Sequence, residues 1–125
     1  MKLLYLLVGG LLGTAARFYL SHAIQHPFHK QLYGFPLGTL AVNAAGCYLM
    51  GLFVAGADKW AWGAEPRVLA MAGFCGAFTT FSALVAETSG LWQGGAAVTA
   101  LLNVGLSLLI GFFAFGAGVL SARAF

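Results

Sequence analysis

Four long apolar runs, joined by short polar connections, leave this chain few ways to fold. They cover about residues 3–24, 34–57, 66–92 and 95–120, and each meets the roughly 20 apolar residues that a membrane-crossing helix needs. Only 7% of the 125 residues are charged, while 61% are hydrophobic. A water-soluble domain carries about 25% charged residues, so this chain lacks the polar surface to cover a soluble body. Its natural solvent is lipid. The expected fold class is all-α: one domain, residues 1–125, built of four transmembrane helices.

Charge is too sparse and scattered for a nucleic-acid footprint. Lys2, Lys59, Arg67 and Arg123 fall on one expected side, and Lys30 with Arg17 toward the other. The positive-inside rule therefore gives only a weak orientation preference. A chain with so small a bias can insert both ways round, and two opposite copies can pair about an axis in the membrane plane. The N-terminal run is expected to persist as the first helix rather than be cleaved as a signal peptide. It carries Gly9, Gly10, Gly13 and then Arg17, which is a poor leader core. Gly9 and Gly13 share a face on which another backbone can approach closely.

The connection after the first run, from His26 to Gln31, completes a set of three histidines, His22, His26 and His29. They read as solvated interfacial groups rather than metal ligands. Cys47 and Cys75 lie inside apolar runs and read as small buried hydrophobes. Pro36 marks the start of the second run. Trp60, Trp62 and Pro66 mark an interfacial loop before the third.

Polar groups inside the lipid slab are expensive, so each calls for a partner or a task. The inventory is Arg17, Asn43, Thr79, Thr80, Ser82, Glu87, Asn103 and Ser107. It holds one acid and no Cys/His arrangement, which argues against an enzyme. It is rich in neutral N–H and O–H donors, which can replace the water shell of a small anion without trapping it. Aromatic ring edges are positive and can help. Phe78 and Phe81 flank the threonine pair, although most of the eleven Phe are expected to face lipid or pack. Asn103, Ser107 and Gly111 recur every four residues and form a thin polar stripe on the fourth helix.

The third run contains Gly73-Phe-Cys-Gly76-Ala-Phe-Thr79-Thr80-Phe81-Ser82. Two glycines and adjacent threonines weaken helix formation there, so a break is expected. Either neighbouring side chains heal it, or its freed carbonyls bind a hard cation.

Taken together, Gly9-Gly10-x-x-Gly13-x-x-x-Arg17, Gly38-Thr39-Leu40-x-x-Asn43-x-x-Gly46 and the third-run motif followed by Glu87 resemble the CrcB/Fluc fluoride channel family. The resemblance runs in order along most of the chain. It implies antiparallel, dual-topology homodimers of four-helix subunits with a broken third helix. It also implies two pores that export fluoride passively across the bacterial inner membrane. A structural Na⁺ at the dimer centre would be held by the carbonyls of Gly76 and Thr79. The implied fluoride pore comprises Asn43, Phe78, Thr80, Phe81, Ser82, Glu87, Asn103 and Ser107. Three departures stand out: Leu84 where the family has a second pore phenylalanine, Ala77 where a second glycine is common, and Asn103 where some relatives have Tyr. The main rival is a small proton-coupled multidrug or guanidinium exporter, which would need an acid in the first helix; that helix has Arg17 instead. A structural subunit of a larger complex is the third reading.

Overall fold

The computed structural model describes residues 1–28 and 34–125. Among these, the chain is helical throughout: α1 (Lys2–Phe28), α2 (Leu37–Lys59), α3 (Ala64–Arg67), a π-helical stretch (Val68–Cys75), α4 (Gly76–Phe78), α5 (Phe81–Gln93) and α6 (Ala97–Ala124). The segment Ala64–Gln93 forms the third of four spans long and apolar enough to cross a membrane, the others being α1, α2 and α6. Within it, Thr79 (φ −88°, ψ 156°) and Thr80 (φ −148°, ψ 113°) are extended.

α1 runs on through His26, Pro27 and Phe28, past the point near Ile24 where the sequence suggests a polar connection. The reason lies in Gln25, whose side chain needs a helical platform to reach the next span. Its Nε2 donates to Phe35 O at 3.0 Å, and its Oε1 accepts from Gly38 N at 2.9 Å. The second bond satisfies one of the free N–H groups at the start of α2, where the cap residue Pro36 supplies no side-chain bond. His22 and His26 stand one turn apart with ring centroids at 5.9 Å; His29 and Lys30 lie outside the described residues. Gly95 (φ +83°) makes the turn from α5 into α6 in a conformation that a Cβ would strain.

The spans pair in parallel. Along α1 and the third span, Gly9 lies against Leu69 O and Phe74 N, Gly13 lies against Phe74 O, and Arg17 Nε donates to Ala77 O at 3.0 Å. Along α2 and α6, Gly51 meets Phe115 O and Gly118 meets Tyr48 O and Leu52 N. Tyr48 OH then donates to Ser121 Oγ at 3.1 Å. The α1 contacts rise together in residue number, as do Cys47 with Gly111, Gly51 with Phe115 and Lys59 with Ala122 on the other pair, which fixes the direction.

Cations close the helix ends. Lys59 Nζ donates to the carbonyls of Ala122 (3.3 Å) and Arg123 (3.2 Å) at the end of α6. Arg67 Nη2 donates to Ala57 O at 3.0 Å and pairs with Asp58 at 2.9 Å at the end of α2. Both contacts satisfy carbonyls that have no intrahelical donor and meet the negative end of the dipole.

The interior is made of small groups: Ala57, Ala70, Cys75, Ala100 and Ala122 are buried, along with Leu40, Val42, Phe78 and Leu84. The large apolar side chains face out. Leu11 (73%), Phe112 (79%) and Phe113 (77%) are among the most exposed. Such a surface suits lipid, in which burying a Leu gains nothing and close backbone contact decides packing. A Cβ at Gly118 would collide with the α2 backbone, whereas nothing lies within 4 Å of one at Gly10. Gly118→Val is therefore expected to cost about 1–3 kcal/mol of stability and Gly10→Ala to be neutral or stabilising. Thermal unfolding in detergent checks both.

Candidate functional site

The polar groups expected from the sequence lie at two levels between α2, α5 and α6. The first level is centred on Asn43. Its Oδ1 accepts from Thr80 N at 2.8 Å, and its Nδ2 donates to Thr80 O at 3.2 Å. A single amide thus pairs with both backbone groups of one extended residue. Thr80 also starts α5, because its Oγ1 accepts from Ala83 N at 3.2 Å as an N-cap and lies 3.2 Å from Ser82 Oγ. Thr79 turns back into the preceding helix: its N–H and Oγ1 both donate to Cys75 O, at 3.1 and 2.9 Å.

The second level lies one turn earlier on α2. Thr39 Oγ1 donates to Glu87 Oε1 at 2.6 Å, while Glu87 Oε2 is buried with no partner among the described residues. Beside it, Asn103 is 1% exposed and its Nδ2 donates to Thr88 Oγ1 at 2.9 Å. Ser107 comes one turn after Asn103 on α6. The register that sets Cys47 beside Gly111 and Gly51 beside Phe115 carries Ser107 to the level of Asn43. Its Oγ is buried with no partner among the described residues. It borders an apolar hollow of about 350 Å³ with Cys47, Gly111 and Phe112.

The two phenylalanines separate. Phe78 is buried (4% exposed) and stacks on Phe74 with centroids 5.4 Å apart. Phe81, between Thr80 and Ser82 in sequence, is 75% exposed. Leu84, one of the three departures noted in the sequence, is buried.

At the extended pair, the donors that an unbroken helix would offer four residues on are drawn elsewhere. Thr80 N goes to Asn43 Oδ1 instead of Gly76 O, and Ala83 N goes to Thr80 Oγ1 instead of Thr79 O. The carbonyls of Gly76 and Thr79 thus lose their helical donors, as do those of Ala77 and Phe78, and Ala77 O accepts from Arg17 Nε instead. Gly76 is exposed, and a Cβ there would approach only Met71 O, at 3.7 Å. Among the described residues no three His, Cys, Asp or Glu groups converge on a metal position.

Above the second level, a polar cavity of about 380 Å³ opens between the end of α1 and the start of α2. Ser21, His22 and Gln25 line it from α1, Thr39 from α2 and Glu87 from α5. Thr39 and Thr88 escape the sequence reading as site residues. Thr39 had a signal, since it falls four residues before Asn43 on the same helix face. Thr88 had none, because its partner Asn103 is on another span. Asn43→Ala removes both bonds to Thr80 and leaves its part-buried backbone groups unpaired. A loss of about 2–4 kcal/mol is expected, at 1–3 per orphaned group with some recovery. Faster amide exchange at Thr80 checks that the loss is local.

The family model described as "CrcB-like protein, Camphor Resistance (CrcB)" matches residues 4–119. Among curated proteins, "Fluoride-specific ion channel FluC" of Solidesulfovibrio magneticus is 37% identical over 123 residues, covering 98% of this chain and 96% of the relative. The protein of the same name from Bacteroides fragilis is 34% identical over 117 residues, covering 94% and 92%. That of Hydrogenovibrio crunogenus is 38% identical over 118 residues, covering 94% and 87%. A family-model match over residues 4–119, with relatives 34–38% identical over nearly the whole chain, makes the chain a member of the CrcB-like family.

Proposed function

We propose that this chain is a fluoride-selective channel, working passively in the bacterial inner membrane as an antiparallel, dual-topology homodimer. The observation that carries the reading is the two-level arrangement of neutral hydrogen-bonding groups at Thr39, Asn43, Thr80, Ser82, Asn103 and Ser107, set inside an apolar chain. Fluoride is the smallest and most tightly hydrated halide. A narrow series of N–H and O–H groups can replace its water, while larger anions do not fit. Fluoride enters acid-bathed cells as neutral HF and ionises inside; an inside-negative potential then drives the anion out through a passive pore.

In this reading, Asn43 holds the Thr80 segment in place and presents its amide to the ion path. Ser107 Oγ, buried and with no partner among the described residues, is a donor at the same level. Phe81, exposed on one subunit, supplies an aromatic edge to a pore completed by the second copy. The names of the relatives support fluoride as the ion. The carbonyls of Gly76 and Thr79 are hard oxygen donors released from the helix, which suits Na⁺ at the dimer centre. Bound there, Na⁺ would compensate backbone that lipid cannot.

Asn43→Asp puts an anionic group in the anion's path and is expected to slow fluoride efflux from proteoliposomes at least about tenfold, equivalent to roughly 1.4 kcal/mol. Phe81→Ile is expected to slow it as well, with both variants still dimeric by crosslinking. Unchanged efflux in both overturns the pore assignment; transport of guanidinium in place of fluoride would establish the exporter reading. An experimental structure of the dimer is expected to hold a monovalent cation between the two Gly76–Thr79 segments. A dry, fully hydrogen-bonded kink there removes the Na⁺ assignment.

A further inference from the structure

The cavity bordered by His22 and Glu87 has a composition that the pore itself does not require. It is the one polar hollow, among those described here, with a histidine in its wall. It ends at Thr39 and Glu87, the outer of the two polar levels. We propose that His22 governs anion entry at this mouth: when protonated, its imidazolium is the fixed positive charge that draws the anion into the cavity. The proposal rests on the channel reading above.

The charges that bear on His22 are few. From α5, Glu87 faces the same cavity. From α2, the lining residues are Pro36, Gly38 and Thr39, which carry no charge. On α1 itself, His26 stands one turn outward at 5.9 Å between rings, and Arg17 is turned toward Ala77 O on the third span. His29 and Lys30 lie outside the described residues. Glu87 is the one acidic side chain among the described lining residues, and when ionised it repels anions. Adding one positive charge near the rim creates a field that offsets that repulsion. A concave, low-dielectric wall focuses that field on the entering ion.

The sign of the effect follows. With the imidazolium as the attracting charge, entry is faster in acid, the condition in which HF loads a cell. One unit charge about 6 Å from the ion, in a water-like dielectric, changes local anion concentration about threefold. Because the rim is wet, the effect fades as salt shortens the screening length.

The test is fluoride efflux from proteoliposomes at pH 8.0 and 5.5, with the HF leak of protein-free vesicles subtracted. The intact protein is expected to run about threefold faster at pH 5.5, with that gain lost in high salt. His22→Gln should be slow at both pH values and His22→Lys fast at both. His26→Gln, outside the cavity wall, should keep the pH response. If the intact protein and His22→Gln share one pH profile, or if His26→Gln abolishes the response instead, the proposal is overturned. Fluoride flux that ignores pH defeats this proposal alone; absence of fluoride flux from every variant defeats the channel reading beneath it.

Discussion

Lipid supplies no hydrogen bonds, and the extended pair Thr79–Thr80 sits within a span that must live in lipid. Every polar backbone group there needs a partner from the protein or from something bound to it. Asn43 answers for Thr80 on both counts, Cys75 O answers for Thr79 N–H, and Thr80 Oγ1 answers for Ala83 N. The rest of the architecture serves this point. α2 must approach closely enough for a short Asn side chain to reach, which accounts for Gly46 facing Thr79 and Phe78: a Cβ at Gly46 would overlap the Thr79 methyl group. The price of an interrupted helix is met by one amide side chain on a neighbouring span.

The π-helical stretch before the break belongs to the same economy of space. Its wider turn shifts backbone bonding from the fourth to the fifth preceding residue, as in Gly76 N–H to Met71 O. That stretch lies along Gly9 and Gly13 of α1, so a wider helix is packed where its neighbour has no side chains. Arg17 follows on the same face and donates to Ala77 O, close to where the helix ends. The cation thus contributes to backbone satisfaction beside the break, a place where an ordinary glycine–glycine contact would give no hydrogen bond.

Much of this was legible in the residues. Four apolar runs translate directly into four spans, because 20 or more such residues have few other fates. Gly9, Gly13 and Arg17 were readable as a packing face followed by an isolated cation. Asn43 and the threonine pair stood out because polarity in lipid is costly. The sequence did not reveal which partner each polar group takes. Asn43 and Thr80 are 37 residues apart, Thr39 and Glu87 are 48 apart, and no local periodicity encodes such pairings. The end of α1 was also hidden: His26 and Pro27 look like a loop, but Gln25 draws the helix onward by bonding Phe35 and Gly38. The third run's π-helical geometry has no propensity signature, since it follows from the shape of α1.

The interlaced pairing of spans bears on how the chain assembles. α2 makes its most extensive contact with α6, and α1 makes its own with the π-helical stretch of the third span. Neither principal partner is the next helix to emerge during synthesis. The first two spans, joined at one end by the Gln25 bonds, must therefore wait in the bilayer for their principal partners until later spans arrive. Maturation then occurs by lateral docking, after insertion is complete. A ribosome stalled in the loop before α6 would leave the face of α2 around Cys47 and Gly51 open to lipid, while α1 and the third span could already pair.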